Sequence, residues 1–299
     1  MKGFLIISNP GSGNKKKYRS VLNRVITKIK AHKSFYKHIQ TVKKADGKWL
    51  IPFLTSEITD IVVLGGDGTL NEVINGSRDL SIPLGIIPLG SGNDFVKNIE
   101  IGRTPQEQID SAVEGIPRSV DIGICNGRRF HNGIGVGFDG RIVHDRSHHP
   151  TWLKGHAGYY YHVIKVLGTY NDQKFIIETD GQKQKTRLIG LTIGNGTTFG
   201  GGFKLTSRAK IDDGKLDICL IGSMPPLKRF LNIYRLSLGT HWTMKEISYQ
   251  RVSNLRIHHN NFLQAHIDGE YLGNPPFDIQ VIPKGMKIKF RNLKETSKN

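Results

Sequence analysis

Over the first 120 or so positions, short uninterrupted apolar runs alternate with stretches whose apolar residues return every three or four positions. Residues 4–8, 61–64 and 84–88 are compact runs bounded by Gly, Pro or Asn, as expected of strands in a parallel sheet covered on both faces. Between them Val21, Leu22, Val25, Ile26 and Ile29, then Leu70, Val73 and Ile74, and later Phe95 and Ile99, keep the helical period. This alternation predicts an open α/β domain with its ligand loops at the carboxyl ends of the strands. Past about residue 121 the texture changes. Residues 174–179 and 185–194, joined through Asp180 and Gly181, read as a β-hairpin, and 216–221, 255–258, 263–267, 277–282 and 286–290 read as further strands. Helices are predicted at 159–167 and near 227–238. The second half is therefore mainly β, a sandwich by expectation. The predicted domains are residues 1–121, α/β, and residues 122–299, mainly β, with the last residues free to return to the first domain.

Composition adds a charge. Of 299 residues, 43 are Lys or Arg and 25 are Asp or Glu, a formal +18 that favours anionic partners such as nucleotides, nucleic acid or an acidic membrane face. Residues 15–48 hold twelve of these bases and one acid, Asp46, which reads either as a solvated helix face or as a surface for anionic lipid heads. Cys125 and Cys219 are too few and too far apart for a disulfide framework or a thiolate metal site. The opening apolar run, 4–7, is too short for a signal segment, and no stretch approaches the ~18 apolar residues of a membrane span. A cytoplasmic protein that touches membranes only peripherally is expected. The histidines around residues 144–162 show no HExxH spacing, so a zinc site is not expected, and that region with its tyrosines reads as core plus a segment near acyl chains.

The candidate chemistry lies in glycine turns. Residues 9–13 (NPGSG), 65–69 (GGDGT) and 89–94 (LGSGND) each follow a predicted strand of the first half. Glycine lets the main chain approach an anion closely, and the free N–H groups of a following helix start point at it with the positive end of the dipole. One such turn is as compatible with a hairpin; three at the mouth of one sheet can line a nucleotide phosphate site. The spacing fits neither a Walker loop nor a GxGxxG dinucleotide turn. Asp268-Gly269-Glu270, between two predicted strands, reads from its residues alone as an inert turn.

These segments resemble the diacylglycerol kinase and sphingosine kinase superfamily, in particular its bacterial soluble lipid kinases. The motifs are SNPGSG at 8–13, GGDGTLNEVING at 65–76, PLGSGNDF at 88–95, GNGTTFGGGFKLTSRAKIDDGKLDI at 194–218 and HIDGE at 266–270, covering nearly the whole chain. The resemblance implies an N-terminal α/β nucleotide domain, a C-terminal β-sandwich and an active site in the interdomain cleft. Carried over, Gly65, Gly66, Asp67, Gly68, Thr69, Leu70 and Asn71 hold the phosphates of ATP, with Asn9, Ser12, Thr41 and Ser91 beside them and Asn93 and Asp94 completing the polar network. Mg²⁺ is expected on the triphosphate, with Asp67 the nearest carboxylate. Asp268 is the expected general base for a lipid hydroxyl, and Glu270 orients it or helps the metal. A second, structural Mg²⁺ is expected at Lys210, Asp213 and Lys215 through one carboxylate, two carbonyls and water.

The resulting expectation is an ATP-dependent kinase acting on a hydroxyl of diacylglycerol or a similar neutral lipid at an anionic membrane surface. A soluble nucleotide kinase resembling NAD kinase shares the GGDGT turn, but its Asn-Glu pair sits further downstream than Asn71-Glu72. A catalytically idle lipid or nucleotide sensor is a third reading, against which Asp67, Asp268 and Glu270 are all present. No nucleic-acid motif accompanies the basic run, so nucleic acid is not an expected partner. The lipid and the oligomeric state are not legible, and a homodimer stays open.

Overall fold

A computed structural model describes residues 2–11, 13–41, 47–77, 79–149, 151–152, 155–179, 181–258, 260 and 262–292. The chain divides into two compact units, Met1–Ile122 together with the chain from Pro283 onward, and Gly123–Ile282.

The first unit is built on four parallel strands. In chain order its elements are β1 (Gly3–Ser8), α1 (Lys15–Ala31), β2 (Phe35–Gln40), β3 (Asp60–Gly65), α2 (Asp67–Gly76), β4 (Leu84–Pro88) and α3 (Pro105–Glu114), followed by β5 (Ile116–Cys125), which carries the chain into the second unit. The strands lie in the order β4, β3, β1, β2. Every residue of β1 and β3 is buried, which is why these strands read as unbroken apolar runs. Helix α1 opens with three lysines at the wrong end of its dipole; Asn14 caps it by accepting from the N–H groups of Lys16 and Lys17, and Tyr18, Val21, Val25 and Ile29 bury one face. Part of its basic surface is matched by α3, where Asp110 and Glu114 each lie 2.7 Å from Lys28 Nζ.

Two local expectations fail here. Strand β2 is absent from the hydrophobic pattern because it is an edge strand with only partial burial. The predicted helix through Phe95 and Ile99 is a 3-10 turn, Phe95–Asn98, after which Ile99 is extended and the Asn98 amide donates back to the Phe95 carbonyl.

The second unit is mainly β, as the sequence predicts. It contains β6 (Arg128–Phe130), β7 (Gly133–Gly137), α4 (Phe138–His148), α5 (Gly155–Thr169), β8 (Gln173–Thr179), β9 (Gln182–Gly194), β10 (Leu216–Gly222), α6 (Pro226–Leu238), β11 (Ile247–Val252), β12 (Asn254–Ile257), β13 (Ala265–Ile267), β14 (Glu270–Gly273) and β15 (Phe277–Phe290). The long strand β9 serves both layers of the sandwich. Its first half pairs with β8, which continues to β12 and β15; its second half pairs with β7 and β10. Phe130, Phe175, Ile193, Leu216, Leu255, Ile267 and Phe277 are among the side chains packed between them.

Strand β15 returns the chain to the first unit, where Ile288 aligns with Leu84 of β4. Its Lys289 is almost wholly buried, pairs with Asp60 at 2.5 Å and donates to the Val113 carbonyl, so the returning strand is fixed by a satisfied internal charge.

Candidate active site

In the first unit the parallel register brings the predicted phosphate loops to one edge. Asn9 N–H donates to the Leu64 carbonyl at 3.0 Å and Leu89 N–H to the Gly65 carbonyl at 2.8 Å, so the loops after β1, β3 and β4 leave the sheet side by side. Thr41 joins them at the end of β2 through its N–H, 2.8 Å from the Ser8 carbonyl. Ser12 lies outside the described residues.

The second and third loops meet backbone to backbone. A Cβ on Gly90 would stand 2.7 Å from Gly66 Cα, so side chains at this crossing would push the loops apart. Helix α2 starts at Asp67 with no side chain capping Gly66, and a Cβ on Gly68 would meet nothing within 4 Å. Free amides at a helix start, open to solvent at a glycine, suit an anion.

Asp67 ties the loops together: its Oδ2 accepts from Asp94 N–H at 3.1 Å. Asp94 stands at the cap position of the 3-10 turn without capping it; its carboxylate instead takes Lys97 Nζ at 2.6 Å. Asn93 adopts φ 49°, a left-handed conformation costly for a non-glycine residue, and its amide nitrogen donates to the Gly90 carbonyl at 2.6 Å. Its Oδ1 and Thr69 Oγ1 are buried with no donor among the described residues. These oxygens and the Asp67 carboxylate are groups of the kind that Mg²⁺ takes beside the oxygens of a substrate phosphate.

In the second unit the DGE turn is a tight hairpin. Asp268 and Gly269, at φ 48° and 80°, are the two central residues between β13 and β14, and both positive values match a type I′ turn. The Asp268 side chain has no exposed surface. Its Oδ1 accepts from Asn132 N–H at 3.0 Å and Gly133 N–H at 2.9 Å, and its Oδ2 accepts from His131 N–H at 3.0 Å and lies 2.8 Å from His131 Nδ1. Burial by itself would raise this carboxyl; the His131 ring and the main-chain donors outweigh it and hold it at about 2.

The residue expected as general base is thus held by internal donors, and these bonds fix the turn 131–133 that enters β7. Glu270, one residue past the turn, is the carboxylate with access: its side chain is 22% exposed and its Oε2 pairs with Arg128 at 2.6 Å.

Sequence reasoning missed the partners of this turn. His266 Nε2 lies 2.9 Å from Asp139 Oδ2; burial lowers its ring pKa, and Asp139 and Asp268 more than restore it, so the net shift is upward. Gly135 makes room for the pair, since a Cβ there would stand 2.4 Å from both atoms. The glycine alternation of Gly133, Gly135 and Gly137 was the available signal.

At the expected second metal site, Asp213 Oδ1 accepts from Lys215 N–H at 3.1 Å and Oδ2 faces Arg251 at 3.4 Å. The Lys215 ammonium turns away to Ser253 Oγ. A second acid, Asp217, is buried close by, pushed up to about 6 by burial and by Asp213 despite Arg251. No cluster of three His, Cys, Asp or Glu able to hold a metal occurs among the described residues. His144 and His148 stack on each other with ring centroids 4.3 Å apart.

Comparison with known proteins agrees with this plan. Residues 3–125 match the family profile of the diacylglycerol kinase catalytic domain, and residues 132–290 match that of the YegS C-terminal NAD kinase beta sandwich-like domain. The chain is 30% identical over 223 residues to a diacylglycerol kinase of Bacillus subtilis (strain 168), covering 72% of each protein. It is 27% identical over 289 residues to a diacylglycerol kinase of Staphylococcus carnosus (strain TM300), covering 95% of this chain and 93% of that one. A solved diacylglycerol kinase from Bacillus anthracis str. Sterne has the same fold, with TM-score 0.77, 24% identity and 98% of each chain covered. The chain belongs to the bacterial diacylglycerol kinase family and is a lipid kinase.

Proposed function

We propose that the protein transfers the γ-phosphate of ATP to a hydroxyl of diacylglycerol or a closely similar neutral lipid, as a cytoplasmic enzyme of phospholipid metabolism that visits the membrane peripherally. The observation that carries the reading is the convergence of the loops after β1, β3 and β4 on one edge, with the open amide end of α2 among them. The triphosphate lies on the amides of Gly65–Asn71, flanked by Asn9, Thr41, Ser91 and Asn93, with Lys97 as a nearby cation.

In the reaction, the lipid oxygen bonds to γ-phosphorus, the bond from that phosphorus to the β-phosphate oxygen breaks, and ADP leaves. Mg²⁺ held through Asp67 would neutralise charge on the phosphate oxygens. Glu270 accepts the hydroxyl proton, and Arg128, 2.6 Å from its Oε2, aims it. Asp268 acts on this step only by shaping the hairpin that carries Glu270. A second Mg²⁺ would be held by the Asp213 carboxylate and the carbonyls of Lys210 and Lys215, and would brace the loop that leads into β10.

An apolar cavity in the second unit, lined by Phe138, Leu167, Ile221, Met224, Ile233 and Leu236, supports an acyl-chain substrate over a soluble one. The test supplies ATP and Mg²⁺ with diacylglycerol, monoacylglycerol, ceramide, an isoprenoid alcohol or NAD as acceptor. Phosphorylation of diacylglycerol and not of NAD is expected; transfer to NAD alone would overturn the reading.

A further inference from the structure

Helix α6 is amphipathic with its apolar stripe turned outward. Leu227, Leu231, Tyr234 and Leu238 recur at spacings of four, three and four, on one face, and are 70%, 65%, 53% and 62% exposed. The opposite face, with Ile233 and Leu236, rests on the cavity already described. No residue of α6 is buried. A globular protein does not ordinarily leave such a stripe to water, because removing apolar surface from water is favourable.

The surroundings identify what covers it. Helix α5 packs against α6 and adds exposed Tyr160, Tyr161 and Ile164, while Trp242 stands just beyond the end of α6. Neither helix contains an acidic residue, whereas α6 carries Arg235, Lys228, which pairs with Glu246 at 2.6 Å, and Arg229, which turns inward to the Leu167, Tyr170 and Met224 carbonyls. Lys228 and Arg235 lie along one flank of the stripe, and Arg208 stacks over Trp242 at 5.1 Å. A second copy of this chain would bring this mainly basic surface, whose one paired acid is Glu246 on Lys228, against itself within a molecule of formal charge +18. An anionic bilayer instead meets all three features at once: leucines enter the acyl boundary, tyrosine and tryptophan sit at headgroup depth, and bases face lipid phosphate.

We propose that the outward face of α6, extended by α5, is an insertion surface for anionic lipid bilayers and anchors the enzyme while it collects its substrate. This rests on the lipid-kinase reading and adds the element that docks. The basic helix α1 is different in kind. Its exposed positions carry charge without an apolar stripe, so any attraction it gives is purely electrostatic and screened by salt.

The test compares the full chain with a Leu227→Ser, Leu231→Ser, Leu238→Ser variant on sedimented vesicles of phosphatidylcholine alone or of phosphatidylcholine with phosphatidylglycerol. Matching thermal unfolding curves establish that the variant folds, as expected for three exposed positions. Wild type binds the anionic vesicles, and part of that binding survives about 0.5 M NaCl, where the Debye length falls to roughly 4 Å. The variant loses the salt-resistant part, at least about tenfold in partition coefficient, while phosphorylating short-chain diacylglycerol below its aggregation limit at the wild-type rate. Unchanged salt-resistant binding in the variant overturns the proposal. So does a wild-type dimer, seen by sedimentation velocity, that the substitutions turn into a monomer without changing vesicle binding. Because vesicle binding is read without turnover, absence of kinase activity in both proteins would refute the functional reading and leave the docking result standing.

Discussion

Replacing Asp268 by Asn separates anchoring from catalysis. The carboxylate takes three main-chain N–H donors at 2.9 to 3.0 Å and the His131 ring at 2.8 Å, all out of contact with water. Asparagine keeps one acceptor oxygen and turns an NH₂ toward donors that then have no acceptor. Breaking a buried charged pair costs about 3–5 kcal/mol, which lowers Tm by roughly 6–20 °C at ~2–4 °C per kcal/mol for a domain of this size. The pH dependence has a definite sign. The folded carboxyl, at about 2, lies below its ordinary 3.8, so its contribution is present above about pH 4 and is lost as pH falls through about 2. At about 1.36 kcal/mol per pKa unit it is on the order of 2 kcal/mol. The gap in Tm between wild type and Asp268→Asn should therefore be full at pH 7 and narrow as acid is added. Glu270→Gln weakens the partly exposed pair with Arg128, a contact worth about 0.2–1 kcal/mol, so it should melt within roughly 4 °C of wild type while turnover falls about 10²–10⁴-fold. Thermal unfolding read beside lipid phosphorylation decides the matter. If Asp268→Asn melts like wild type and is inactive while Glu270→Gln remains active, the assignment of roles is refuted.

Other expectations concern the phosphate loops and the cations. Gly68→Ala should fold at least as stably as wild type, because its methyl meets no neighbour and alanine favours a helix by up to about 1 kcal/mol, yet the ATP-induced rise in Tm should shrink as the methyl enters the anion's approach. Gly90→Ala should cost about 1–3 kcal/mol by pressing on Gly66 and should weaken ATP binding, both visible in the same melting assay. Millimolar Mg²⁺ without nucleotide should raise Tm in wild type and not in Asp213→Asn, whereas ATP affinity, measured by calorimetry, should be alike in the two proteins. Arg128→Ala should reduce kcat more than KM, since Arg128 positions Glu270.

The sequence displays the parallel strands because β1 and β3 are buried on both faces and leave unbroken apolar runs. It hides β2, whose edge position leaves FYKHIQ half exposed and without alternation. It also hides α4, where only Gly140, Ile142 and Asp145 are buried and no apolar stripe accumulates. The glycine loops are legible as motifs because close main-chain approach demands glycine at Gly66 and Gly90. The role of Asp268 is not legible, since the amides that saturate it lie 135 to 137 positions upstream, at 131–133. Local turn chemistry predicted the hairpin and the family resemblance predicted a base; neither contains the burial that distinguishes Asp268 from Glu270. Helix α6 shows a limit of another kind: its period was readable, but periodicity does not say whether the apolar side faces core or solvent.

The most direct test of the account is transfer of labelled γ-phosphate from ATP into diacylglycerol presented in anionic vesicles, with wild type and Glu270→Gln side by side. The account predicts labelled phosphatidic acid from wild type, dependent on Mg²⁺, and close to none from the variant at equal ATP affinity. Equal label from both proteins, or label that appears in water-soluble acceptors and never in lipid, would contradict it.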